Sequence, residues 1–177
     1  MTEHPGYLRL HPTSADQLLH ARNTLTETMQ DNSFLVTTAL DLSHMVDGDT
    51  TGLSVFDRSV SYVAAIQKGG QRHLVFSVHD QAIPGPAVPS SQAHLQLRAE
   101  VQGDIATYAY SLDDGQTFSP LGSPVTLTFS WWKGARPALF AFNILGPSSG
   151  YIDFDWLHYK PLPSPAVANS AAEEHHP

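Results

Sequence analysis

His94-Leu95-Gln96-Leu97-Arg98-Ala99-Glu100-Val101, followed by Gln102-Gly103-Asp104 and then by Ile105-Ala106-Thr107-Tyr108-Ala109-Tyr110-Ser111-Leu112, decides the fold class. In the first run apolar side chains stand at every second position, with polar or charged ones between them. Successive side chains of an extended chain point to opposite faces, so this run reads as a strand with one face in a core and the other toward water. The glycine-containing break is a turn signal, and the second run brings the chain back as another strand.

The same rhythm extends outward in both directions. Tyr7–His11, Phe34–Leu42, Gly52–Phe56, Ser61–Gln67, His73–His79, Val125–Phe129, Pro137–Asn143 and Tyr151–Tyr159 all read as strands. Turn signals separate them at Asp47-Gly48-Asp49, Lys68-Gly69-Gly70, Asp113-Asp114-Gly115 and Gly146-Pro147-Ser148-Ser149-Gly150. Helical periodicity beyond two turns is hard to find, and ten short strands at such spacing predict an all-β sandwich or jelly roll. Two stretches break the rhythm. Ile83–Ser91 carries Pro84, Pro86 and Pro89 and reads as a rigid loop, since proline brings no ladder donor. The segment after Tyr159, beginning Lys160-Pro161-Leu162-Pro163, has the composition of a disordered terminus. The expected division is a sandwich over residues 1–160 and a tail over 161–177.

Composition narrows the functional classes. A chain of 177 residues suits one domain and buries about 70 % of its unfolded surface. Its formal charge of −8 argues against nucleic acid, whose phosphates require a basic face. No run approaches the roughly 18 apolar residues of a membrane span, and Met1-Thr2-Glu3-His4-Pro5 is not a signal peptide. The expectation is a soluble domain cut from a longer protein. The absence of cysteine rules out disulfides and thiolate chemistry without fixing the compartment.

Familiar catalytic constellations do not assemble. His73 and His79 stand about 20 Å apart along a strand, too far to share one metal ion. His94 and His158 are isolated. Gly52-Leu53-Ser54-Val55-Phe56 opens like a nucleophile elbow but lacks the closing glycine and following helix, so Ser54 reads as an ordinary strand residue. Glu27, Asp41, Asp57, Glu100 and Asp113 are available as carboxylates, yet no motif pairs them for glycoside hydrolysis. Phe129-Ser130-Trp131-Trp132-Lys133-Gly134-Ala135-Arg136 is more suggestive, because it holds two of the three tryptophans. Adjacent strand residues face opposite ways, so both rings cannot enter one core, and one is expected to face solvent, a sugar or a partner. The competing reading is a packing pair at a strand end.

Several motifs carry a resemblance. Gly6-Tyr7-Leu8-Arg9-Leu10-His11, Ala21-Arg22-Asn23-Thr24-Leu25-Thr26, Asp47-Gly48-Asp49 with Gly52-Leu53, Tyr110-Ser111-Leu112-Asp113-Asp114-Gly115, and Asp153-Phe154-Asp155-Trp156 occur in this order. Together they resemble the C-terminal domain of glycoside hydrolase family 43 β-xylosidases. The resemblance implies a concanavalin A-like, two-sheet antiparallel jelly-roll sandwich that accompanies a catalytic β-propeller and is not an enzyme by itself. It also implies that the family's first, tryptophan-containing strand is missing, leaving a sheet edge exposed or covered by another segment. By resemblance, Trp131, Trp132, Lys133 and Arg136 form the loop that contacts the propeller or a sugar. Asp155, similar to an aspartate of related jelly-roll glycosidases, implies a structural calcium shared with Asp47 or Asp49. The implied partners are the propeller and xylan or xylo-oligosaccharide, with self-association as a further role. Secretion follows if the parent enzyme acts on polymeric xylan. The alternative is a small self-contained glycoside hydrolase or esterase on a lectin-like scaffold.

Overall fold

The computed structural model describes residues 3–28, 31–56, 60–79, 81–128 and 135–163. Their strands are β1 (Leu8–Leu10), β2 (Thr13–Ser14), β3 (Thr24–Thr26), β4 (Ser33–Asp41), β5 (Asp49–Phe56), β6 (Ser61–Lys68) and β7 (Gln71–Val78). The series continues with β8 (Gln81–Val88), β9 (His94–Gln102), β10 (Ile105–Ser111), β11 (Ser119–Pro120), β12 (Val125–Thr126), β13 (Arg136–Asn143) and β14 (Ile152–Pro161). A 3-10 turn at Leu18–His20 is the one helical element among the described residues, which contain no helix long and apolar enough to cross a membrane.

The first sheet runs β1-β14-β4-β9-β10-β11, with β12 also on β10, and the second runs β2-β13-β5-β6-β7-β8, with β3 also on β13. All pairings are antiparallel except that of β2 with β13. The β9–β10 hairpin forms as its alternation predicts, with Gln102 opposite Ile105 and Gln96 opposite Ser111. Leu95, Leu97, Ala99 and Val101 of β9 join Phe34, Val36 and Leu40 of β4 in the core. Facing them across the sandwich are Leu53, Val63, Leu74 and Phe76. A second apolar cluster forms on the outer side of the second sheet, where Leu18 packs with Ala64, Val75, Phe140 and Phe142.

Three differences from the sequence reading have simple causes. The proline-rich stretch is a strand: Pro84 and Pro86 lie in β8, which pairs with β7 on one side only. A proline costs a ladder bond only where a neighbour would use it, so an edge strand tolerates it. The final strand outlasts Tyr159, with Lys160 opposite Leu35, Pro161 opposite Phe34, and the Leu162 N–H donating to the Ser33 carbonyl at 2.9 Å. Residues 164–177 of the expected tail lie outside the described residues. Finally, β2, β3 and β11 hold two or three residues each, too few for an alternation to be read.

Strand β14 is an edge over part of its length among the described residues. Strand β1 covers only Ile152, Asp153 and Phe154. Past the bulge that follows Phe154, Trp156 to Pro161 pair with β4 alone among the described residues.

Candidate functional site

A cavity of about 430 Å³ opens beside that edge, between the two sheets. Tyr7, Leu25, Leu139, Phe154, Trp156 and Leu157 give it a largely apolar wall, and Glu27 and Asp155 stand at its polar margin. It is placed by the ends of four strands. β1 and β14 supply one wall and β3 and β13 the other, with the Glu27 N–H donating to the Pro137 carbonyl at 2.9 Å where β3 leaves β13.

Trp131, Trp132 and Lys133 lie outside the described residues. Arg136 is described and opens β13 opposite Phe56, half-buried. Its Nε is buried and has no hydrogen-bond partner among the described residues. A buried donor left without an acceptor costs about 1–3 kcal/mol. The next residue, Pro137, lines the cavity.

The aspartates expected to share calcium are not brought together. Asp49 is fully buried at the head of β5, accepting hydrogen bonds from Asn143 Nδ2 at 2.8 Å and the Val46 N–H at 2.9 Å. Asp47 Oδ1 accepts the Gly70 N–H at 2.9 Å. Asp155 is exposed in β14 of the other sheet, at the bulge. Among the described residues no group of three or more histidine, aspartate or glutamate side chains stands where it could hold a metal ion. Asp49 and Asp155 stand on strands of different sheets.

Three of the carboxylates considered from the sequence, Asp113, Asp41 and Glu100, are engaged in local hydrogen bonds. Asp113 accepts the Ser111 and Thr117 hydroxyls, each at 2.6 Å, and the Thr117 N–H at 2.9 Å. These bonds, with the Ser111 hydroxyl foremost, push its carboxyl down to about 2 and make it the anchor of a turn. Asp41 Oδ1 accepts the Ser43 N–H at 2.8 Å, and Glu100 accepts Gln102 Nε2 at 3.3 Å. Ser54 is buried in β5 and donates to the Ser61 carbonyl at 2.7 Å, as befits a strand residue. Asp57 lies outside the described residues.

The sequence reading missed the strongest polar cluster, although both halves stood in quoted motifs. Arg9 and Asp153 face each other in the β1–β14 register. Arg9 donates from Nε and NH2 to the two carboxylate oxygens at 2.8 and 2.7 Å, and His4 Nδ1 lies 2.7 Å from Oδ2. The guanidinium also lies 3.7 Å from the Tyr151 ring centroid. Strand order, which no local motif reveals, creates this cluster.

The Arg9 hydrogen bonds, helped by His4, hold the Asp153 carboxyl below the usual aspartate range, against the opposing effect of burial. A depressed folded-state value contributes stability above the unfolded value of about 3.9, which is lost as pH falls through the folded value. We expect the melting temperature to decline below about pH 4, and Asp153→Asn to reduce the slope in that window while lowering stability at neutral pH. Thermal melts of both proteins from pH 2 to 7 check this; an unchanged slope in the variant contradicts it.

A family model described as Beta xylosidase C-terminal Concanavalin A-like domain matches residues 1–160. A curated β-xylosidase of Formosa agariphila is 28% identical over 193 aligned positions, covering 96% of this chain but 32% of that protein. A bifunctional family 43 and carbohydrate-esterase protein of Bacteroides eggerthii superposes with a TM-score of 0.80 at 27% identity, over 92% of this chain and 22% of its own. A family 43 enzyme engineered for endo-xylanase and exo-arabinofuranosidase activity gives a TM-score of 0.80 at 23% identity, over 89% of this chain and 34% of its own. The chain thus spans about a third or less of these proteins' lengths. With two facing sheets of the expected kind and a match over nearly all described residues, the chain belongs to the β-xylosidase C-terminal concanavalin A-like domain family of glycoside hydrolase family 43.

Proposed function

We propose that this domain is the non-catalytic companion of a family 43 propeller in a xylan-degrading enzyme of β-xylosidase or arabinofuranosidase type. It packs against the propeller and completes its substrate pocket with the segment from Trp131 to Lys133 and with Arg136. The observation that carries this reading is the buried Arg136 Nε, which has no acceptor among the described residues and sits on β13 next to Pro137, a lining residue of the largely apolar cavity. A docking domain supplies both the acceptor and an apolar cover. The names of its relatives supply the substrate class, xylan and its oligomers.

Activity on aryl xylosides and arabinosides separates this reading from a self-contained hydrolase. The isolated chain is expected to show no turnover. A family 43 propeller lacking its own sandwich is expected to gain activity when joined to this domain, and Trp131→Ala or Trp132→Ala to remove about tenfold of the gain, equivalent to about 1.4 kcal/mol. Robust turnover by the isolated chain, abolished by one carboxylate substitution, would overturn the proposal.

A further inference from the structure

The two sheets differ in how their outer faces are covered. Leu18 and its neighbours pack over the outer side of the second sheet. On the first sheet, the cross-strand register places a row Trp156–Ala39–Gln96 beside a row His158–Thr37–Arg98. Strand neighbours in register share a face, and the intervening β4 residues Val36, Thr38 and Leu40 are buried, so both rows face outward.

These rows form a trough. The rings of Trp156 and His158 stack along one side, with centroids 4.2 Å apart and planes inclined by 16°. On the other side the Arg98 guanidinium lies 3.5 Å from the Phe118 ring centroid, which holds a flat polar and aromatic pair in place. Ala39 stands between the two sides at the Trp156 end, while at the other end the Arg98 Nε donates to the Thr37 hydroxyl at 3.3 Å and its side chain lies over the buried Thr37. Two strand spacings separate β14 from β9, so the trough is about 10 Å across between backbones. At the Trp156 end it deepens into a hollow of about 130 Å³. Asp41, His94, Gln96 and Asp155 line this hollow, and His94, Gln96 and Asp155 have no side-chain hydrogen bond among the described residues.

We propose that this trough binds a neutral glycan chain, one ring lying against the part of Trp156 that His158 leaves open and its hydroxyls meeting Gln96, His94 and the lining carboxylates. A pyranose has an apolar C–H face that suits an aromatic wall and a hydroxylated rim that suits amide, imidazole and carboxylate groups. The chain's net charge of −8 and the three aspartates lining the hollow, Asp41, Asp114 and Asp155, favour an uncharged sugar over an anionic one. The choice of xylose units as a probe rests on the proposed function; the trough itself does not.

Titration calorimetry of the chain with xylohexaose and cellohexaose tests the site. Binding of at least one is expected, weakened about tenfold or more by Trp156→Ala and by Ala39→Phe, which fills the floor. Amide and indole NMR shifts of the unmodified protein provide a readout independent of any variant's folding. Shifts centred on Ala39, Gln96, Arg98 and the Trp156 indole support the trough. Shifts centred on residues 128–136, with loss of binding in Trp131→Ala or Trp132→Ala only, overturn it. No binding of either sugar at millimolar concentration also overturns it, and both negative results leave the companion role to the propeller standing.

Discussion

Changing Arg9 to alanine is expected to destabilise the domain clearly, because it strips a part-buried carboxylate of its two-pronged partner. Asp153 is only 3% exposed, and both of its oxygens are engaged by the two-pronged guanidinium. Without Arg9 the carboxylate keeps His4 as its side-chain partner, and it must either protonate or draw in water. The variant also loses the guanidinium packed on Tyr151. Because β1 is three residues long and pairs with β14 through Leu8, Arg9 and Leu10, this side chain ties the strand that walls the apolar cavity. Arg9→Lys retains charge but not the fork geometry, so it should fall between wild type and alanine. Urea denaturation followed by tryptophan fluorescence measures the loss. A cost below about 1 kcal/mol would place the pair in the class of weak surface bridges.

Phe76→Ala is expected to cost about 3–5 kcal/mol, through a different mechanism. Phe76 is completely buried on β7 and tilts against Tyr108 of β10 at 5.9 Å between ring centroids. The ring therefore joins the two sheets. Gly122 lies directly against it: a β-carbon there would come within 2.3 Å of the ring, and its φ of +83° is one that other residues adopt only with strain. Such a fit leaves nothing that can collapse into the space of a deleted ring, so most of the cavity cost should remain. The neighbouring Tyr108 hydroxyl is held by the Ser61 hydroxyl at 2.7 Å and by the Val55 N–H at 3.2 Å, which limits its movement into the gap. Chemical denaturation of Phe76→Ala and Phe76→Leu separates cavity size from ring loss. Equal stability of wild type and the alanine variant would contradict the packing account.

The fold was legible because alternation is a local signal. His94–Gln102 and Ile105–Ser111 announce their core faces residue by residue, and the register follows from a short turn. The proline-rich β8 was misread because proline's meaning depends on whether a strand has one neighbour or two, and that is a property of the sheet. The candidate sites were less legible. Trp156 and His158 read along the sequence as alternating members of a terminal strand. They become one wall of a trough only when β4 and β9 are laid beside them.

By itself, then, the sequence determined strands, most turns, the all-β class and, through ordered motifs, the family. These depend on side-chain periodicity and on residues close in the chain. Only the tertiary structure decided that Arg9 meets Asp153, that Asp47 and Asp49 stand apart from Asp155, and that one outer sheet face is covered while the other presents aromatic and polar groups. Pairings between residues more than a hundred positions apart arise from sheet order and register. Those are set by how the whole core packs, not by any local pattern.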